Sequence, residues 1–260
     1  MKTMPDSTER PPIATSPVSV LLFAQALSTE TTDALRAWRQ HLDTLKRPCE
    51  IILVQETRPE VANDLPASQP DRVFTYDRST GFHATLDEAI RSAAHPLLVF
   101  CACDKQYQPS DLDRMLNAIY KVDLVVGYRA GGQAPLWRVL LDIAGGVLRR
   151  VVLGSPPEPR VCWLGADGCH RRWIARWVFG VRVHDPECPF RLARRSIFAH
   201  LPIQSGGPFA QVEMLAKANH LSCLLAEEPV TWTAPTLPAS DAVSFGADAW
   251  CVFREPDFGT

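Results

Sequence analysis

No stretch of this sequence approaches the roughly 20 consecutive apolar residues that a bilayer span requires. Its best apolar runs, Val18–Leu27 and Pro96–Cys103, are half that length or less. Net charge is only −2, which excludes a protein that coats nucleic acid through bulk positive charge. No Cys-x-x-Cys pair occurs among the eight cysteines at 49, 101, 103, 162, 169, 188, 223 and 251. A chain of this size folds without a disulfide framework. Cys162…Cys169-His170 has half of a zinc-site spacing and no second half. Cys101 and Cys103 alternate within an apolar run and read as buried thiols sharing a strand face. A secretory leader is also missing its basic segment. Val18–Phe23 precedes Ala24-Gln25-Ala26 in the manner of a cleavage site, but Asp6 and Glu9 offset Lys2 and Arg10. The run reads instead as the first strand, and a reducing cytoplasm is expected. No internal repeat is visible. No Gly-rich loop ending in Lys follows the first strand, which argues against a nucleotidyltransferase with a similar sheet.

What is present is a globular composition: 260 residues, 46% hydrophobic and 22% charged, enough for a large core and too apolar for a disordered chain. Charge is distributed unevenly. Residues 129–200 hold twelve Arg, no Lys and five acids, a local +7 that leaves −9 on the rest. Residues 1–16 are polar and Pro-rich and predict a disordered tail. Residues 233–260, rich in Pro, Ala, Asp and Ser, predict a loosely packed one. Between them, apolar strand runs at Val18–Phe23, Glu50–Val54, Arg72–Tyr76, Leu97–Cys101 and Asp123–Val126 alternate with helical patterns at Thr31–Leu45, Ala84–Ala94 and Asp111–Tyr120, the last with Ser110 as N-cap. Continuous apolar strands separated by amphipathic helices predict an α/β, doubly wound, mostly parallel sheet covered on both faces. Further helices are predicted at Leu136–Val152, His170–Phe179 and Gln211–Asn219, and a final strand within Cys223–Val230.

Ligands of open α/β sheets sit beyond the carboxyl ends of the strands, and the informative stretches fall there. In order they are Gly81–Leu86, Leu97–Leu112 (LLVFCACDKQYQPSDL), Asp123–Arg129 (DLVVGYR), Asp185–Arg195 (DPECPFRLARR) and Phe209–Ala218 (FAQVEMLAKA) with Glu228-Pro229-Val230. Taken together, over residues 17–232, they resemble a family 2 glycosyltransferase of GT-A fold, nearest to the dolichyl- and polyprenyl-phosphate sugar synthases. The resemblance implies a nucleotide-binding half at 17–128 and an acceptor half at 129–232. It implies sugar transfer from a nucleotide-sugar donor to a lipid-phosphate or other anionic acceptor. It also implies a divalent cation, Mg or Mn, which as a Lewis acid stabilises the departing diphosphate. Asp104 and Gln106 stand where the family's D-x-D-x-Q strand end holds that metal. Glu56, Gly81, Arg129 and Arg138 join Asp104 on the donor and phosphate side, and Asp185, Arg191 and Glu213 are implied as catalytic.

The departures all fall on the donor side. Ala102 replaces the first aspartate of the metal motif, Phe23-Ala24-Gln25-Ala26-Leu27 replaces a polar nucleotide-holding turn, and Gln55-Glu56 keeps one of two acids. The Gly-x-Ser-Lys phosphate segment is absent from Trp232–Asp241. Lys105 adds a cation beside Asp104, either to meet a diphosphate or as a solvated loop residue. Asp185 reads as general base or as the opening of an Asp-Pro turn. Arg191 reads as a phosphate clamp or as a partner of Asp185 or Glu213 that holds the loop. Arg149, Arg150, Arg171, Arg172 and Arg176 flank Trp173 and Trp177. That composition suits a helix lying peripherally on an anionic membrane, or a solvated face over packed aromatics. Two functions follow: a hexosyltransferase, or a catalytically impaired binding or regulatory protein on the same scaffold.

Overall fold

A computed structural model describes residues 16–24, 28–56, 70–76, 82–129, 174–206, 209–233 and 242–258. Seven strands, β1 (Val18–Ala24), β2 (Cys49–Glu56), β3 (Arg72–Tyr76), β4 (Leu97–Ala102), β5 (Leu124–Arg129), β6 (Arg191–Arg194) and β7 (Leu225–Val230), form one sheet of order β3-β2-β1-β4-β6-β5-β7. Every pairing is parallel except those of β6, which runs antiparallel to both β4 and β5. The mostly parallel, doubly wound sheet read from the sequence is present. The antiparallel strand within Phe190-Arg191-Leu192 was not expected, because four residues bracketed by arginines carry no strand-length apolar run.

Alternation along the strands separates two core layers. Val20, Leu22, Ile51, Leu53, Val99, Cys101, Val125 and Leu192 face α1 (Thr29–Thr44) and α3 (Leu112–Ala118), from which Leu35, Trp38, Leu42, Leu112 and Met115 enter the same layer. Leu21, Ile52, Val54, Leu98, Phe100 and Val126 form the opposite layer, with α2 (Phe82–Ser92) and α4 (Ala210–His220). Ser28 caps α1 by accepting the Thr31 N–H. Ser110, expected as a cap, lies instead within a 3-10 turn, Pro109–Asp111, that leads into α3 without a side-chain cap. Gly127 marks the closest approach of chain segments in the sheet. A Cβ there would sit 2.7 Å from the Phe190 carbonyl oxygen and 2.9 Å from a Val230 methyl.

The C-terminal stretch corrects an expectation. α5 (Ala242–Arg254) stands where a loose tail was read, and its Ala249 and Val252 are buried in the second layer. Pro235 and Pro238 precede the helix and Pro256 follows it, and the Ala249/Val252 spacing is a weak helical signal among Asp, Ser and Gly. The expected helix over 136–152 and the tail at 1–15 fall outside the described residues. Of the expected helix over 170–179, residues 174–177 are helical. Among the described residues no helix is long and apolar enough to cross a membrane.

Candidate functional site

The chain winds outward through β1, β2 and β3, then crosses to β4 on the other side of β1. Such a reversal opens a crevice beyond the C-terminal ends of the two central strands, here Ala24 and Ala102. Cys103 continues β4 by donating its N–H to the Phe23 carbonyl at 2.7 Å. Asp104 is therefore the first residue past the sheet at the switch point. Its Oδ1 accepts the Gln106 N–H at 3.0 Å. Burial raises the carboxyl's pKa above its ordinary value. The bond from Gln106 opposes that rise and the charge of Glu30 adds to it.

A half-buried acid with a raised pKa costs the fold stability, and the sign can be tested. The folded chain binds more protons than the unfolded chain above the ordinary value of 3.8. The cost therefore grows as pH rises through that window and is complete once the carboxyl ionises. Asp104→Asn keeps the shape and the acceptor oxygen. It should melt at a higher temperature than the wild type at neutral pH, with the gap closing below pH 3.8 in a calorimetric series. An equal gap at both ends would show that the charge is not the cause.

The stretch beyond Asp104 is tied to the end of β7. Gln106 Oε1 accepts the Trp232 indole N–H at 3.1 Å, and the Gln106 carbonyl accepts the Thr233 N–H at 2.9 Å. Asp111, buried, accepts the Thr231 N–H and anchors Arg114 at 2.6 Å. The Trp232 ring in turn carries the Arg129 guanidinium, 5.3 Å from the ring centroid. Arg129 closes a two-pronged ion pair on Asp185, Nε to Oδ2 at 2.5 Å and Nη2 to Oδ1 at 2.8 Å. Burial alone would depress that guanidinium's pKa, but the hydrogen bonds and charge of Asp185 more than reverse it. A continuous chain of polar contacts, Gln106–Trp232–Arg129–Asp185, thus joins the loop after β4 to the loop before β6.

The Asp185 turn is held from three strands. From β7, Glu227 accepts the His184 backbone N–H at 2.6 Å and pairs with His184 Nδ1 at 2.8 Å. From β5, Arg129 holds Asp185. From β6, Arg191 donates to the carbonyls of Pro186 and Cys188, at 2.6 and 3.0 Å. Its remaining donor reaches the Gln211 carbonyl on α4 at 2.6 Å. Arg191 is 0% exposed, and burial lowers its pKa to about 10.

These contacts correct two expectations. Arg191 pairs with neither a phosphate nor a carboxylate, because its fork is spent on main-chain carbonyls inside the protein. Glu213 does not face a cleft. It is fully buried, accepts the N–H groups of Gln204 and Ser205 at 2.8 Å each, and pairs with buried Lys217 at 2.7 Å. Lys105 turns to Asp33 at 2.7 Å on the exposed face of α1. Glu56 closes β2, while Gly81 and Arg138 lie outside the described residues. Cys101 and Cys103 are buried thiols, and burial pushes Cys103 up to about 12.

The implied metal does not fit these side chains. Position 102 offers a methyl group, Gln106 is engaged by Trp232, and Asp104 is a single carboxylate. Among the described residues no group of three or more His, Cys, Asp or Glu is arranged to hold a metal ion. Trp232, Glu227 and His184 escaped the sequence reading. The one available signal was an aromatic placed directly after a strand end, at Pro229-Val230-Thr231-Trp232.

No family model matches the chain, and no curated protein sequence matches it. Solved structures do. Glucosyl-3-phosphoglycerate synthase from Mycobacterium tuberculosis, in complex with Mn2+, UDP-glucose and phosphoglyceric acid, superposes with a TM-score of 0.63 at 14% identity, over 94% of this chain and 82% of that one. The same synthase with Mg2+ and UDP gives 0.61 at 15% identity, over 94% and 82%. A mycobacterial protein gives 0.55 at 14% identity, over 91% and 72%. At such identities the likeness speaks for architecture. With the mixed seven-stranded sheet and its switch point between β1 and β4, it establishes that this chain has the GT-A glycosyltransferase fold.

Proposed function

We propose that the chain is a sugar transferase that takes a nucleotide-sugar donor in the crevice beyond β1 and β4 and passes the sugar to an anionic acceptor held near Asp185. One observation carries this reading: the Trp232–Arg129 link that ties the Asp104–Gln106 loop to Asp185. A donor-side strand end and an acceptor-side carboxylate some 80 residues later are built as one unit. A transfer reaction needs that, because donor and acceptor must be oriented together. Asp104 would meet the donor's sugar hydroxyls. Asp185, kept in place by Arg129, would orient or deprotonate the acceptor hydroxyl. An anionic acceptor is favoured by the +7 of residues 129–200. The similar synthase structures hold UDP-glucose and phosphoglyceric acid, so a small phosphorylated acid stands beside a polyprenyl phosphate as a candidate class.

Isothermal titration of the full chain with a panel of nucleoside diphosphates and UDP-glucose tests the donor half of the reading. A single-site isotherm for at least one nucleotide is expected, and heats at the dilution level for all of them would overturn it. Sedimentation with anionic vesicles separates the acceptor classes. Binding that weakens with salt supports a lipid phosphate and a peripheral place on the membrane, to which Trp177, 51% exposed beside Arg176, would contribute. No binding at low salt leaves the soluble acceptor.

A second reading, a binding or regulatory protein on a glycosyltransferase scaffold, is favoured by Ala102 together with the inward commitment of Arg191 and Glu213. It predicts nucleotide binding without turnover. Detection of sugar transfer by the wild-type chain excludes it.

A further inference from the structure

We infer that this chain engages its nucleotide ligand without a divalent cation, Gln106 having become the hydrogen-bond acceptor that positions Trp232 rather than a metal ligand. The inference rests on the donor reading above and concerns how that donor is held. Structures of similar fold contain Mn2+ or Mg2+ with UDP, so the departure is specific to the side chains present here.

Three side chains carry it. At the end of β4, Ala102 presents no oxygen. Asp104, next in reach, turns Oδ1 back onto the N–H of its own loop at Gln106. Gln106 has a single side-chain oxygen, which receives the Trp232 indole N–H at 3.1 Å. A carbonyl oxygen has a second lone pair, but drawing it onto an ion would turn the amide against that bond. The indole it holds supports the Arg129 guanidinium, and Arg129 closes on Asp185. Recruiting Gln106 to a metal would therefore disturb the acceptor-side pair as well. Of the motif positions 102, 104 and 106, what remains is one carboxylate oxygen, on Asp104. Mg2+ demands near-octahedral oxygen coordination at about 2.0–2.1 Å and gives up its waters reluctantly, so a lone monodentate ligand holds the free ion weakly and leaves any bound ion to the ligand's own phosphates.

Among the described residues, the cation adjacent to Asp104 in the chain does not substitute for the metal. Lys105 is 2.7 Å from Asp33, and the acid's pKa is lowered by that bond. Arg129 is neutralised by Asp185. The described crevice thus supplies Asp104 without a matching positive charge. A ligand there is held by its base, its sugar and backbone N–H groups more than by charge on its phosphates.

The experiment has two arms on the full chain. In the first, UDP is titrated in EDTA and again in excess Mn2+. Dissociation constants within about twofold of each other are expected, a difference well below the 1.4 kcal/mol of a tenfold change. Binding that is lost in EDTA, or tightened about tenfold or more by Mn2+, overturns the inference and leaves the donor reading standing. In the second arm, Mn2+ alone is followed by electron paramagnetic resonance. The wild type should leave the free-ion signal at full intensity at equimolar protein, whereas Ala102→Asp should diminish it. A wild-type chain that removes the signal overturns the inference. An Ala102→Asp chain that leaves it intact overturns the assignment to position 102. If UDP binds under neither condition, the donor reading fails, and the resonance arm alone decides whether the metal site is gone.

Discussion

Arg191→Leu should destabilise the protein by about 2 kcal/mol or more, measured as a shift of the urea midpoint at constant slope. Two effects oppose each other. Leucine removes a guanidinium that is completely buried with no carboxylate bonded to it, and burial has already lowered its pKa to about 10. Shedding that charge is favourable. Against it, the carbonyls of Pro186 and Cys188 lose a donor inside the protein, whereas that of Gln211 keeps its partner within α4. Each orphaned carbonyl costs about 1–3 kcal/mol, so the two together outweigh the gain. Arg191→Lys keeps the charge and fewer donors, and should fall between wild type and leucine. It also keeps the test informative if the leucine variant does not fold. A leucine variant within about 0.5 kcal/mol of wild type, the usual range of surface substitutions, would show that these contacts carry no net stability.

The second large effect is expected at the Arg129–Asp185 pair. Asp185→Ala strands a guanidinium whose side chain is 11% exposed, and breaking a buried pair from one side costs about 3–5 kcal/mol. The double variant Arg129→Met/Asp185→Leu leaves neither charge unpaired and should recover a large part of that loss. A double-mutant cycle isolates the coupling, and additive losses would show that the pair is not a unit. The same variants separate stability from ligand handling. If Asp185 serves the acceptor, Asp185→Asn with the fold intact should leave UDP affinity unchanged while abolishing transfer.

Much of this fold was legible because its strands are long apolar runs. Val18–Phe23, Leu97–Cys101 and Glu50–Val54 were located within a residue or two, since a strand covered on both faces excludes polar residues along most of its length. Helices α1 and α2 followed from apolar spacing on one face, at Ala34, Leu35, Trp38 and Leu42 and at Leu86, Ala89 and Ile90. β6 was not legible. Its first side chain is a buried arginine satisfied by main-chain carbonyls, two in the preceding turn and one 20 residues on, and nothing local marks it as interior. Glu213 misled for the same reason: charge in a sequence reads as surface or site, while here it and Lys217 satisfy each other and the 202–205 loop inside the core. The site was legible as a location, at the ends of β1 and β4, because topology sets it. Its wiring was not, because Trp232 reaches Gln106 across 126 residues.

The antiparallel strand has a consequence for the order in which the molecule can be assembled. β4 and β5 are consecutive in the chain, yet they do not touch as neighbours, because β6 lies between them. A growing polypeptide that has released β1 to β5 holds two open edges facing a gap. Nothing closes that gap until about residue 194 has emerged. Unpaired strand edges template association with other chains, and long-range pairings form slowly because loop closure precedes their reward. A fragment ending at residue 128 would therefore expose the inner edge of β4 and aggregate rather than fold as a smaller domain. In this protein the chain beyond residue 129 supplies the strand that completes the sheet begun by β1 to β4, and synthesis must run through three quarters of the chain before that sheet is sealed.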